Sequence, residues 1–147
     1  MKIKAEVYNR LIKQFEEYPH ETGGILGGNN DIVCEYELDV GRCTECPCSY
    51  VPNVQAMNDT IAIWQSSGIE FMGIYHTHFG SGSLSSSDKE YIFKILDAMP
   101  ISITHLYFPL IVGTTKEIVA FIADRDFDKW NIRNDAVIVV ETDREKL

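Results

Sequence analysis

Two histidines one residue apart, His76 and His78, are followed ten positions later by an aspartate, Asp88. Two imidazoles and one carboxylate make a three-ligand set that leaves a fourth position for water. That is the composition of a catalytic rather than a structural zinc site. Far upstream, Glu21 sits in Pro19-His20-Glu21-Thr22-Gly23-Gly24-Ile25-Leu26-Gly27-Gly28 and offers a general base. Taken singly, each residue also has an ordinary reading. An H-x-H pair occurs on many surfaces. Ser85-Ser86-Ser87-Asp88 suits the start of a helix, where serine caps and an acid meets the dipole. A lone Glu after a proline is often an exposed loop residue.

These side chains need elements to aim them. Ile69 to Tyr75 reads as a strand delivering His76 and His78, and period-two alternation puts both imidazoles on one side. A helix is expected from about Ser86 to Met99, with Tyr91, Ile92, Ile95, Leu96 and Met99 on one face and Pro100 closing it. Residues 5–18 look helical, with Val7, Leu11, Ile12 and Phe15 on one face. Residues 54–66 look helical too, with Val54, Met57, Ile61 and Trp64 together and Gly68 ending the run. The Gly-rich stretch Thr22 to Gly28 fits a strand whose backbone closely approaches a neighbour. Asn29-Asn30-Asp31 makes a turn, and Ile32 to Val40 is the hairpin's second strand. Further strands are expected at Thr104 to Val112, Ile118 to Ala123 and Ala136 to Glu141. Asp124 to Asn134 reads as a loop or a short helical turn. The order predicts an α+β domain of α-β-α layers around one mixed sheet, spanning residues 1–147.

The chain has 147 residues, 45% of them hydrophobic, enough for one core. No apolar run reaches the roughly 18 residues needed to cross a membrane, and the first residues lack a signal-peptide core. A soluble cytoplasmic protein is expected. The net charge of −9, with no cluster of Lys and Arg, argues against nucleic acid. Cys43, Cys46 and Cys48, with Cys34 upstream, suggest a second metal, a disulfide or a redox-sensitive loop. No second C-x-x-C pair completes a zinc ribbon, so small thiols in a loop are the plainer reading. His20 is expected to face solvent, His105 to pack in a strand, and Trp64 and Trp130 to anchor the core or an interface.

Pro19-x-Glu21-x-x-Gly24-x-Leu26-x-Gly28, His76-x-His78 and Ser85-x-x-Asp88 together resemble the JAB/MPN (JAMM) metalloprotease family, over nearly the whole chain. Ser49 to Asn53 resembles the stretch before the family's middle helix. The resemblance implies a curved, partly barrel-like mixed sheet flanked by helices, cytidine-deaminase-like in kind. It implies Zn²⁺ held by His76, His78 and Asp88, with Glu21 as general acid/base and Ser85 stabilising the oxyanion. The implied activity is peptidase or isopeptidase cleavage by zinc-activated water at the C-terminal Gly-Gly tail of a ubiquitin-like or sulfur-carrier protein. The chain lacks the long insertions of the family's eukaryotic deubiquitinases and resembles its compact prokaryotic members. It departs from the usual pattern in three places. Phe79 and Leu84 stand where proline is usual, and the loop between His78 and Ser85 is one residue short. A slipped register there would put Ser86 or Ser87 in the role of Ser85.

Two other classes of function remain as alternatives. One is a non-catalytic scaffold of the same fold, and the other a redox or sulfur-transfer protein using the cysteines. A homodimer is open as well.

Overall fold

The structure, a computed structural model, describes residues 1–18, 20–40 and 52–141. The expected first helix is two: α1 (Ala5–Ile12) and α2 (Gln14–Glu17), separated at Lys13. A short strand precedes them, β1 (Lys2–Lys4), which pairs in parallel with residues around Ile32 and Ile138. No local pattern announced it, because three residues carry no periodicity and its partners are distant in sequence.

The glycine-rich stretch forms β2 (Gly23–Asn29) and hairpins into β3 (Ile32–Asp39). The two-residue turn places Asn30 at φ 56° and Asp31 at φ 59°. These residue types tolerate the left-handed conformation that tight hairpins demand. The expected close approach is real. A Cβ at Gly24 would stand 2.2 Å from the Glu37 carbonyl oxygen and 2.8 Å from the Tyr75 ring.

Helix α3 (Val54–Ser66) has the expected bounds and starts at Asn53, whose side chain accepts from the Ala56 N–H at 3.2 Å. Gly68 follows at φ 77°. Met57 and Trp64 are buried, but Val54 is exposed. Next come β4 (Glu70–His78) and α4 (Ser86–Asp97). Ile92 and Leu96 bury α4 against the sheet, and each such side chain stabilises by about 1.5–3 kcal/mol.

The expected strand Thr104 to Val112 is broken into β5 (His105–Tyr107) and β6 (Leu110–Val112). Pro109 cannot donate to a ladder, which makes it a natural break point. The long strand β7 (Glu117–Asp126) then pairs with both pieces. Residues 124–134 were expected as a loop or helical turn. They end β7, turn at Phe127 (φ 58°) and form β8 (Lys129–Asp135). The last strand is β9 (Ile138–Val140).

The strands form one mixed sheet in the order β5-β7-β6-β4-β2-β3-β1-β9, with β8 beside β7. Strand β4 also pairs with β5, and β5 and β6 keep one register against β4 and one against β7, so together they fill a single slot between those two strands, interrupted at Phe108 and Pro109. Helices α1 and α2 cover one face, over Leu26, Tyr75 and Ile111. The other face holds Ile25 and Ile74 under α3, and Leu106 and Phe121 under α4. Among the described residues, no helix is long and apolar enough to cross a membrane.

Candidate metal centre

Strand β4 is the backbone of the site. Tyr75 faces the core under α1 and α2, while Ile74, His76 and His78 line a cleft on the other side. The histidines stand at the strand's C-terminal end, inside the sheet and not beyond it as the expected bounds had it. Asp88 comes from the first turn of α4. His76, His78 and Asp88 each present one ligand atom, all within 4.8 Å of one another.

Spacing separates a metal set from a simple ion pair. His76 Nε2 lies 3.5 Å from Asp88 Oδ1. A good charge-assisted hydrogen bond would close to about 2.7–2.9 Å. Two ligands bound at about 2.0–2.2 Å to one tetrahedral ion lie about 3.3–3.6 Å apart. The observed separation fits the second case. The Nδ1 atom of His78 is buried with no hydrogen-bond partner among the described residues. Burial holds the His76 imidazole down to about 4, with His78 pushing the same way and Asp88 opposing. A neutral ring is the form that ligates. The donor set therefore fits a zinc ion.

The serine-rich start of α4 serves two purposes. Ser85 is the N-cap: its Oγ accepts from the Asp88 N–H at 3.1 Å, and its own N–H donates to Asp88 Oδ2 at 2.9 Å. This capping box divides the aspartate. Oδ2 is held by the helix start, and Oδ1 is turned toward His76. The ordinary reading of Ser85 and Asp88 and the metal reading hold together. Ser85 occupies the cap, and both Ser85 and Ser87 line the cleft. The Ser85 hydroxyl also keeps its own hydrogen for donation into the cleft it lines.

Glu21 lies just before β2. Pairing of β2 with β4, with Gly23 opposite His76, brings it beside the histidines. Its Oε2 accepts from the Phe79 N–H at 3.2 Å. Proline, usual at that position in the resembled family, has no N–H to give. The Phe79 ring also packs on Phe15, centroids 5.1 Å apart. Burial pushes the Glu21 carboxyl above its ordinary value; Phe79 and His78 pull it down, and Asp88 adds to the rise.

The cleft has a volume of about 450 Å³. Glu21, His76, His78, Ser85 and Asp88 line it, and Ile74, Leu84, Ile92 and Phe108 make apolar walls. Tyr91, from α4, lines it as well. Its phenol is pushed up to about 12 by burial and by Asp39, so it stays a donor. The sequence pattern placed Tyr91 on a core-facing stripe, and only the cleft reveals its other exposure.

The remaining residues singled out by their chemistry fall elsewhere. Cys43, Cys46 and Cys48 lie outside the described residues, while Cys34 is a free thiol on β3. His105 is no packing histidine: its Nε2 lies 3.0 Å from Asp31 Oδ1, beside a Tyr107 hydroxyl that donates to the same carboxylate at 2.9 Å. His20 is half-buried near Tyr18 and not solvent-facing. Trp64 and Trp130 are buried core residues, as expected.

Fold and site together define a mixed α+β protein with a histidine–histidine–aspartate group that could hold a metal at the mouth of a cleft. The chain belongs to the family of prokaryotic homologs of the JAB domain, whose model matches residues 4–130. That wider family includes metalloproteases. The fold is similar to the solution structure of a protein from Desulfitobacterium hafniense, at 15% identity and a TM-score of 0.71, over 98% of this chain and 95% of that one. It is also similar to the crystal structure of a JAB1/MPN domain protein from Archaeoglobus fulgidus, at 16% identity and a TM-score of 0.52, over 96% of this chain and all of that one. No curated protein matches the chain.

Proposed function

We propose that this chain is a zinc-dependent peptidase or isopeptidase that cleaves at the Gly-Gly tail of a ubiquitin-like or sulfur-carrier protein. The observation that carries the reading is the convergence of a metal-capable His76, His78 and Asp88 with Glu21 in one cleft. Bound zinc would supply Lewis acidity and make a water a competent nucleophile near neutral pH.

The chain's own residues divide the remaining work. Glu21 takes a proton from the attacking water and delivers it to the leaving amine as the C–N bond breaks. A raised carboxyl is suited to both halves of that transfer. The Ser85 hydroxyl donates to the carbonyl oxygen as negative charge develops there. The acyl product leaves as a carboxylate, and no covalent acyl-enzyme is needed. Substrate choice is supported by shape. A glycine tail has no side chain to clash with Ile74, Leu84 and Phe108, which line the cleft.

The test begins with elemental analysis of the wild type and His78→Ala. One zinc per chain in the wild type, absent from the variant, is expected. Ubiquitin-like domains joined to lysine or to a peptide through Gly-Gly are then offered as substrates. Zinc in the wild type without hydrolysis of any would turn the reading toward a binding scaffold.

A further inference from the structure

Between the two histidines stands Thr77, fully buried. Its hydroxyl does unusual work for a strand residue. The Thr77 N–H donates to the Thr22 carbonyl at 2.8 Å, as an antiparallel ladder requires. The return bond is different. The Thr22 N–H donates to Thr77 Oγ1 at 2.8 Å, and that hydroxyl donates to the Thr22 carbonyl at 3.2 Å. Strand β2 begins at Gly23, and just before it this grip stands in for the ladder's return bond. The Thr22 hydroxyl is tied the other way, to Gln14 Oε1 at 3.4 Å, and Gln14 Nε2 donates to the Tyr75 hydroxyl at 2.9 Å. Every polar atom of Thr22 is thus held. The next residue back is Glu21, whose carboxylate is held only by the Phe79 N–H among the described residues.

We propose that Thr77 is a positioning residue that uses its hydroxyl to fix Thr22, and through it sets Glu21 against the Phe79 N–H beside the two histidines. The residue between the ligands thereby couples the proton-transfer group to the metal-capable strand. A hydroxyl is needed because one atom must both accept from and donate to the same residue's backbone. Valine has the shape and neither function. The consequence for turnover rests on the peptidase reading above; the geometric claim does not.

The Phe79 amide reports on the claim directly. In ¹H–¹⁵N spectra of the full chain, with and without zinc, Thr77→Val should shift the Phe79 amide upfield and speed its exchange about tenfold or more. Thr77→Ser should leave it unchanged. Thr22→Val puts the same methyl into the same buried network but spares the backbone grip, and should also leave it unchanged. Thr77→Ala replaces Thr77→Val should the latter not fold. A Phe79 amide that keeps its position and protection without the Thr77 hydroxyl overturns the proposal. So does a Thr77→Ser chain that behaves like Thr77→Val, or loss of zinc from Thr77→Val, which would make Thr77 a support for the ligands instead. On a Gly-Gly-linked ubiquitin-like substrate, Thr77→Val should lower kcat by about 10- to 100-fold with KM held within about twofold, as a small misplacement of a proton-transfer group does. No turnover by the wild type would sink the peptidase reading and leave the amide result to decide the role of Thr77.

Discussion

In the proposed function Glu21 and Ser85 each combine a chemical duty with a structural one, and well-chosen substitutions test the two apart. Glu21 is a half-buried carboxyl whose raised value means that folding costs something once it ionises. Glu21→Gln removes that charge while its amide oxygen can still accept from Phe79. The variant should therefore melt higher than the wild type near neutral pH, keep its zinc, and lose about 10²–10⁴ in kcat. Calorimetry, elemental analysis and turnover on one preparation check all three. Ser85→Gly should keep most of the helix start, since glycine at an N-cap costs only a few tenths of a kcal/mol. It removes the hydroxyl, however, so kcat should fall by about 10²-fold. A Ser85→Gly enzyme with full activity would leave Ser85 as a cap and nothing more. Chemical type made these residues visible in the sequence; their partners were not, since the Phe79 N–H belongs to a backbone that any residue but proline carries.

At the level of elements, β4 must approach β5 closely where Gly73 pairs with Tyr107. A Cβ on Gly73 would stand 1.9 Å from the Tyr107 carbonyl oxygen. Backbone cannot retreat as a flexible side chain can, so Gly73→Ala should destabilise by at least about 1–3 kcal/mol and disturb the strand that carries both histidines. Thermal melts and zinc content measure the two effects. At the same end of β4 the hairpin turn is latched to β5 by Asp31, His105 and Tyr107. Burial pushes the Asp31 carboxyl up, but hydrogen bonds from His105 and Tyr107 outweigh it and hold the group below its ordinary value. A depressed carboxyl stabilises above its unfolded value and loses that contribution as pH falls through the folded one. Asp31→Ala should thus lower the melting temperature near about pH 7 and have little effect near about pH 2.5. Periodicity found α3 at its full length, because thirteen residues repeat the helical pattern several times. It missed β1 and β8, whose strand character comes from distant partners, and read through Pro109, where apolar continuity outweighed a missing donor.

For the molecule as a whole, His76, His78 and Asp88 join the sheet to α4, so a bound ion would tie two layers together. Zinc in large excess over its dissociation constant should raise stability by about 4 kcal/mol at a thousandfold excess, and chelation should remove that gain. Zinc-free protein should also be acid-sensitive in a defined window. His76 is held down to about 4 by burial, whereas the unfolded chain takes up that proton near about 6.5. Between those values acid favours the unfolded state, so stability should fall as pH drops through the window. Melts of chelated protein across this range, with His76→Asn as control, test it; equal slopes in both would assign the loss to other groups.

The sequence alone determined the types of the candidate ligands, their spacing on a strand and the helix that presents Asp88. These follow from local periodicity and from side chains whose chemistry does not depend on context. Only the tertiary structure decided which distant atoms would meet. Glu21 stands 55 residues before His76 and reaches it through the β2–β4 register. Asp88 divides its two oxygens between a helix cap and a histidine. Thr77, a plain spacer in the pattern, grips Thr22, the residue beside Glu21. Hydrogen bonds between segments depend on register and curvature, which are set by packing across the whole sheet and have no signature in any short stretch of chain.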